Sequence, residues 1–211
     1  MWVERKNKLL TLLLCFFLCT FAAVPTGRAA GLFSEVTFTG YGWGKPEVTV
    51  TINPKPGAEI FAEDVVTVVT EWNNILQKIR GAPALTVVSG AKADIIVIIS
   101  PTSGEQLGSA ALSSAVQNSC VLSGVAILLH TKALDRTYSH AGLRNVARHE
   151  FAHALGLGHS NDKNEQMFPY ADEDIFFGAE DIHPSECEAK GLALMYPMRP
   201  YCVMPEKVNC F

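Results

Sequence analysis

His149-Glu150-Phe151-Ala152-His153-Ala154-Leu155-Gly156-Leu157-Gly158-His159 is the stretch on which the reading of this chain turns. Residues four apart on a helix stand one above the other, so His149 and His153 can present their imidazoles to one point. Neutral imidazole is a strong ligand for zinc, and a hydrolytic zinc site takes three protein ligands and leaves a fourth position to water. Glu150 comes about 100° further round the helix, where a carboxylate can flank that water as general base. His159 cannot join the other two if the helix runs on, because it would lie about 15 Å along the axis from His149. The helix has to stop and the chain has to turn back. Gly156 stands where that turn falls, and glycine takes a left-handed conformation at a helix end without steric cost. Gly158 adds further freedom. Five fixed residues coincide by chance in about one chain in 10⁵ of this length. The spacing is therefore read as a site: His149, His153 and His159 bind one Zn2+, and Glu150 serves as base.

Working outward, Ser139 can cap a helix that runs through Leu143 and Val146 into the motif. Val48, Val50 and Ile52 alternate with threonines, the period of a half-buried strand. Residues 62–80 place Val65, Val68, Val69, Trp72, Ile75, Leu76 and Ile79 on one helical face. Residues 85–88, 95–99 and 125–129 are β-rich, and the last two are apolar enough to be covered on both faces. Residues 100–119 read as a long loop with at most an edge strand, and residues 31–45 as an irregular lead-in. A last helix begins near Pro184 and ends before Pro197. The order is strand, helix, three strands, helix, then a mostly irregular part with one helix, which predicts an α/β or α+β fold.

The first 30 residues stand apart. Arg5, Lys6 and Lys8 precede an uncharged apolar run over 9–24, followed by Pro25-Thr26-Gly27-Arg28-Ala29-Ala30. That is the pattern of a signal peptide, with an uncleaved anchor as the alternative. The chain beyond it keeps 13 of the 17 basic and 20 of the 21 acidic side chains, a net charge of −7. So acidic a domain is not expected to bind nucleic acid or an anionic membrane by charge. Cys120, Cys187, Cys202 and Cys210 remain after the leader, an even number suited to two disulfides in an exported chain. Of the three pairings, Cys202 with Cys210 is the easiest closure and leaves Cys120 with Cys187.

The wording Val146-Ala147-Arg148 through His159-Ser160 resembles the metzincin clan of zinc peptidases, and within it the matrixins. The resemblance covers roughly residues 45–196. It implies a metzincin-like fold: a twisted mixed sheet with two long helices above a small irregular C-terminal subdomain with one helix. It also implies a methionine in a tight turn under the zinc. Met167, eight residues after His159 and followed by Phe168-Pro169-Tyr170, fits that place better than Met195. Met195 reads as the close of the final helix. Ala93-Asp94-Ile95 is similar to the start of the family's third strand. Gly108-Ser109-Ala110 resembles the edge that pairs with an extended substrate, and Pro169 and Tyr170 would line a substrate pocket.

The chain departs from the family in several places. Ala152 replaces a glycine, a change a helix tolerates. No His-x-Asp precedes Cys120, so the family's second, structural zinc is not expected. No Pro-Arg-Cys-Gly segment precedes the domain, so cysteine-based latency is not expected either. Asp172, Glu173, Asp174, Glu180 and Asp181 could gather Ca2+, but they lack the spacing of a calcium loop and read rather as a solvated loop. His130, His140 and His183 read as surface or capping residues, and Glu71 as an exposed helix position.

The expectation is a signal peptide over 1–30, a peptidase domain over 31–197 and a tail over 198–211, tied by disulfides. The protein is expected to be secreted or extracytoplasmic, monomeric, and to hydrolyse peptide or protein substrates with zinc. The competing reading is a catalytically silent zinc-containing binding protein of the same fold. Glu150 separates the two, since a pure binder has no use for it.

Overall fold

The structure is a computed structural model that describes residues 34–90, 92–104, 107–116, 120–133, 135–169, 173–199 and 201–210. The leader expected over 1–30 lies outside them. In chain order the elements are β1 (Ser34–Phe38), β2 (Gly42–Trp43), β3 (Glu47–Pro54), α1 (Ala62–Leu76), β4 (Ala84–Val87), β5 (Ile95–Ser103), β6 (Gly108–Val116) and β7 (Val121–Ala133). There follow β8 (Arg136–Thr137), α2 (His140–Ala154), β9 (Leu157–Ser160), α3 (Glu173–Phe177), α4 (Glu186–Met195) and β10 (Lys207–Cys210).

Two sheets organise the fold. In the larger, β4, β3, β5 and β7 lie side by side and parallel, β2 joins β7 in parallel, and β6 and β8 run antiparallel to β7. Val48, Val50, Ile95, Val97, Ile99, Ile127 and Leu129 are buried from this sheet. α1 supplies the opposing face with Val65, Val68, Val69, Trp72 and Leu76, the 3.6-residue stripe that its sequence predicts. It ends four residues before the predicted limit. There the amides of Lys78 and Ile79 reach back to the carbonyls of Ile75 and Leu76, and the last turn tightens. α2 lies beside α1 and under β6 and β7, and buries Leu143, Val146, Ala147 and Phe151. This mixed α/β fold is the predicted class.

The second sheet was not legible in the sequence. It has three strands in the order β10, β1, β9, all antiparallel. β1 lies in the stretch read as an irregular lead-in, and β10 in the stretch read as a tail. Each is four or five residues long with one buried residue, Val36 or Val208. So short a strand carries almost no periodic signal, and its partners lie more than a hundred residues away in sequence. Residues 100–119 also hold more strand than loop, since β5 runs on to Ser103 and β6 fills Gly108–Val116.

The four cysteines among the described residues form two disulfides, but not in the favoured pairing. Cys120 joins Cys202 and Cys187 joins Cys210, each with Cα atoms 5.5 Å apart. Sequence proximity favoured Cys202 with Cys210. β10 carries Cys210 away along β1 to the flank of α4, where Cys187 waits. Cys202 stays in the short 3-10 turn Tyr201–Val203. Buried Tyr201 anchors that turn by donating its hydroxyl to Trp43 O at 2.8 Å, close to Cys120 at the head of β7.

Candidate metal centre

α2 starts as its sequence predicts. Ser139 Oγ accepts the Gly142 amide at 2.9 Å, one of the orphan donors of the first turn. Its end is more elaborate. Gly156 takes φ +109°, and a Cβ there would lie 2.5 Å from Tyr41 O and 2.6 Å from Met195 Sδ. Only glycine serves, for backbone and space alike. The last carbonyls of the helix are buried and all find donors. Trp43 Nε1 donates to Ala154 O at 2.8 Å, Tyr196 Oη to Leu155 O at 3.0 Å, and the Thr39 amide to Gly156 O at 2.9 Å. The helix is thus stopped and the chain turned into β9, which returns His159 to the first two histidines.

The three ring nitrogens that can act as ligands lie within 4.8 Å of one another. His149 and His153 approach with Nε2 atoms 3.1 Å apart. A tetrahedral ion with zinc–nitrogen bonds near 2 Å sets its ligand nitrogens about 3.3 Å apart. The outer nitrogens decide the tautomers. His149 Nδ1 lies 2.9 Å from Gln166 O, and His153 Nδ1 lies 2.9 Å from Leu157 O. A carbonyl only accepts, so each Nδ1 carries the proton and each Nε2 keeps its lone pair. Two lone pairs then face each other at close range, an arrangement that a shared cation resolves. Burial holds both rings neutral, pulling His149 down to about 4 and His153 to about 3. It also lowers His159, the most exposed of the three. Neutral imidazole is the form that ligates, and the donor set fits zinc.

Glu150 is buried on the same helix. β6 passes so close to α2 that Gly108 lies against Val146 and Glu150. Burial raises the Glu150 carboxyl to about 8, and a hydrogen bond from the Ala110 amide draws it partly back. Carboxyls of raised proton affinity are common at functional sites.

Both methionines are fully buried, with different roles. The Met167 carbonyl accepts the Ser160 amide at 2.8 Å and closes the loop that follows β9. Its neighbour Gln166 holds His149. Met195 ends α4 and packs against Gly156. Pro169 is exposed, Gly108 and Ala110 lie half-buried on β6, and Tyr170 falls outside the described residues.

Several residues around the site were not anticipated. Glu188 is fully buried and accepts the Met167 amide and the Ser185 amide, both at 2.7 Å, while Ser185 Oγ caps Glu188 N. The spacing Ser185-x-x-Glu188 is a capping box and was legible, but its bond to Met167 depends on the tertiary fold. Arg148, 1% exposed, is bidentate to Glu71 at 2.6 and 2.9 Å and reaches Asp181 at 2.8 Å. Arg144 joins Asp181 to Asp64, and His140 lies 2.6 Å from Asp64. Glu71 is thus the partner of a buried arginine rather than an idle surface residue. Asp181 spends both oxygens on arginines, which leaves it a poor calcium ligand.

A family model described as Matrixin, among the M10 peptidases, matches residues 48–196, well over half of the chain. No curated protein matches it.

Proposed function

The chain belongs to the matrixin family of metallopeptidases, and from that premise we propose that it is a secreted endopeptidase that holds one zinc ion on His149, His153 and His159. The observation that carries this reading is the pair of Nε2 lone pairs 3.1 Å apart, with both Nδ1 protons tied to carbonyls. When bound, zinc supplies Lewis acidity toward water and the scissile carbonyl. Glu150 takes the proton of the attacking water and delivers it to the leaving amine. Its burial, which raises proton affinity, supports that double duty, and the Ala110 amide fixes its direction.

The substrate is an extended peptide. Among the described residues β6 pairs with β7 alone, so its outer edge can accept a further strand. Gly108 and Ala110 bring that edge against Glu150. Pro169 lines the pocket for the residue after the scissile bond, and Met167 forms the turn beneath the ion. Secretion is supported by the apolar leader and by two disulfides, which persist in oxidising compartments. No helix of the described residues is long and apolar enough to cross a membrane.

The test is a peptide-library digestion read by mass spectrometry, with zinc content measured alongside. The wild-type chain is expected to hold about one zinc and to cleave peptides in a chelator-sensitive way. Glu150→Ala is expected to keep the metal and lose activity by about 10²–10⁴-fold. Undiminished cleavage by that variant would sink the mechanism. A wild-type chain that binds zinc but turns over no peptide would establish a silent binder.

A further inference from the structure

The third histidine is held differently from the first two. His149 and His153 ride on α2, whereas His159 rides on β9, whose one strand partner among the described residues is β1. β1 pairs on its other edge with β10. Both strands lie outside residues 48–196, the part that matches the family.

Register shows what β1 does to β9. Val36 lies opposite Ser160 and Phe38 opposite Leu157, so two steps along β1 face three along β9. The extra residue makes a bulge at Gly158-His159, and a bulge re-aims a side chain. The His159 carbonyl lies at that bulge, opposite Thr37. Thr37, between the two paired residues of β1, donates its hydroxyl to that carbonyl, His159 O, at 3.0 Å. Gly158 completes the fit, since a Cβ there would lie 2.2 Å from Thr37 Oγ1. On either side, Thr39 Oγ1 donates to Gly156 O at 3.2 Å, and Glu35 exchanges bonds with Asn161 at 2.8 and 3.1 Å. Residues 35–39 therefore grip both ends of the segment that carries His159.

We propose that Thr37 is a positioning residue for the third metal ligand, and that β1 and β10 form a clamp, outside the stretch matched to the family, which sets the aim of His159. The inference rests on the zinc reading of the site. The Thr37 hydroxyl fixes the peptide plane at His159 and with it the direction in which the imidazole leaves the backbone. Without the hydroxyl, the bulged carbonyl loses that side-chain bond and the ring samples other directions. Binding zinc then has to order it, so the ion is held less tightly.

Thr37→Val keeps shape and strand preference but lacks the hydroxyl, and Thr37→Ser keeps the hydroxyl. Zinc affinity and release are followed in the full chain with a chromogenic chelator, and thermal midpoints are recorded for the zinc-free proteins. Thr37→Val is expected to weaken zinc binding by about tenfold, at the lower end of what partners behind metal ligands contribute. Its zinc-free midpoint is expected to stay near wild type, and Thr37→Ser to restore the affinity. The proposal is overturned if Thr37→Val holds zinc as wild type does, or if Thr37→Ser is as weak as Thr37→Val. It is also overturned if the zinc-free midpoint of Thr37→Val falls as far as the zinc-loaded one. A wild-type chain that binds no zinc overturns the metal reading itself. A wild-type chain that binds zinc beside an indifferent Thr37→Val overturns the clamp alone.

Discussion

Gly156 shows how much a single residue decides here. It sits at φ +109° with the Tyr41 carbonyl and the Met195 sulfur where a side chain would be. Gly156→Ala asks the backbone for a strained conformation and must also push a carbonyl aside, a combined cost of at least about 2 kcal/mol. Relief would come from shifting β9, and His159 moves with it. The variant is therefore expected to melt at lower temperature and to lose zinc out of proportion to its loss of fold, as measured by calorimetry and metal analysis on one preparation. The need for a turning glycine was legible from spacing alone, because three histidines cannot meet otherwise. Thr37, Gln166 and Glu188 were not legible as partners of the site. Each acts on a ligand or its loop across 17 to 122 residues of sequence through bonds at 2.7 to 3.0 Å, and nothing local announces such bonds.

At the scale of elements, α2 has two duties on two faces. One face carries His149 and His153, the proposed ligands. The other carries Arg144 and Arg148, which bind Asp64 and Glu71 of α1 and Asp181 of the loop before α4. Arg148 is too buried to be left without a counter-charge. The two arginines hold the Asp181 carboxyl well below the usual aspartate range, hydrogen bonds from Arg144 contributing most. The folded state then keeps the charged form where the unfolded chain takes up a proton. The stability that Asp181 supplies is thus complete above its ordinary value of 3.8 and drains away as pH falls below it. Asp181→Asn is expected to cost about 1–3 kcal/mol at pH 7, since Arg148 retains Glu71. Denaturant melts should show that deficit shrinking as the pH is taken below 4, and an unchanged deficit would refute the charge argument. α1 and α2 were legible because a long amphipathic stripe repeats its signal over several turns. Glu71 looked idle because its partner comes from the other helix.

At the scale of the whole molecule, the two disulfides among the described residues tie its C-terminal segment back to the fold, and they should be separable in function. Cys120–Cys202 spans 82 residues and Cys187–Cys210 spans 23. Loop-closure entropy then makes the first worth about 4.5 kcal/mol and the second about 3.4 kcal/mol, so the longer bridge should matter more for stability. Their positions predict the opposite order for the metal. Cys202 lies in the turn that Tyr201 plugs against Trp43, behind the end of α2. Cys210 lies on β10, which holds β1, which holds β9 and His159. The pairing that sequence proximity suggested would have left β10 unattached to α4 and hidden this division. Replacing Cys120 and Cys202 together by serine should lower the denaturation midpoint more than replacing Cys187 and Cys210. The second pair of changes should raise the rate of zinc release more, because it frees the outer strand of the clamp without unplugging the helix end. Both quantities can be read on the same two double-serine variants at fixed pH. If the Cys120 and Cys202 changes proved worse on both measures, zinc retention would follow global stability. The three-stranded sheet would then be a passive flank of the site.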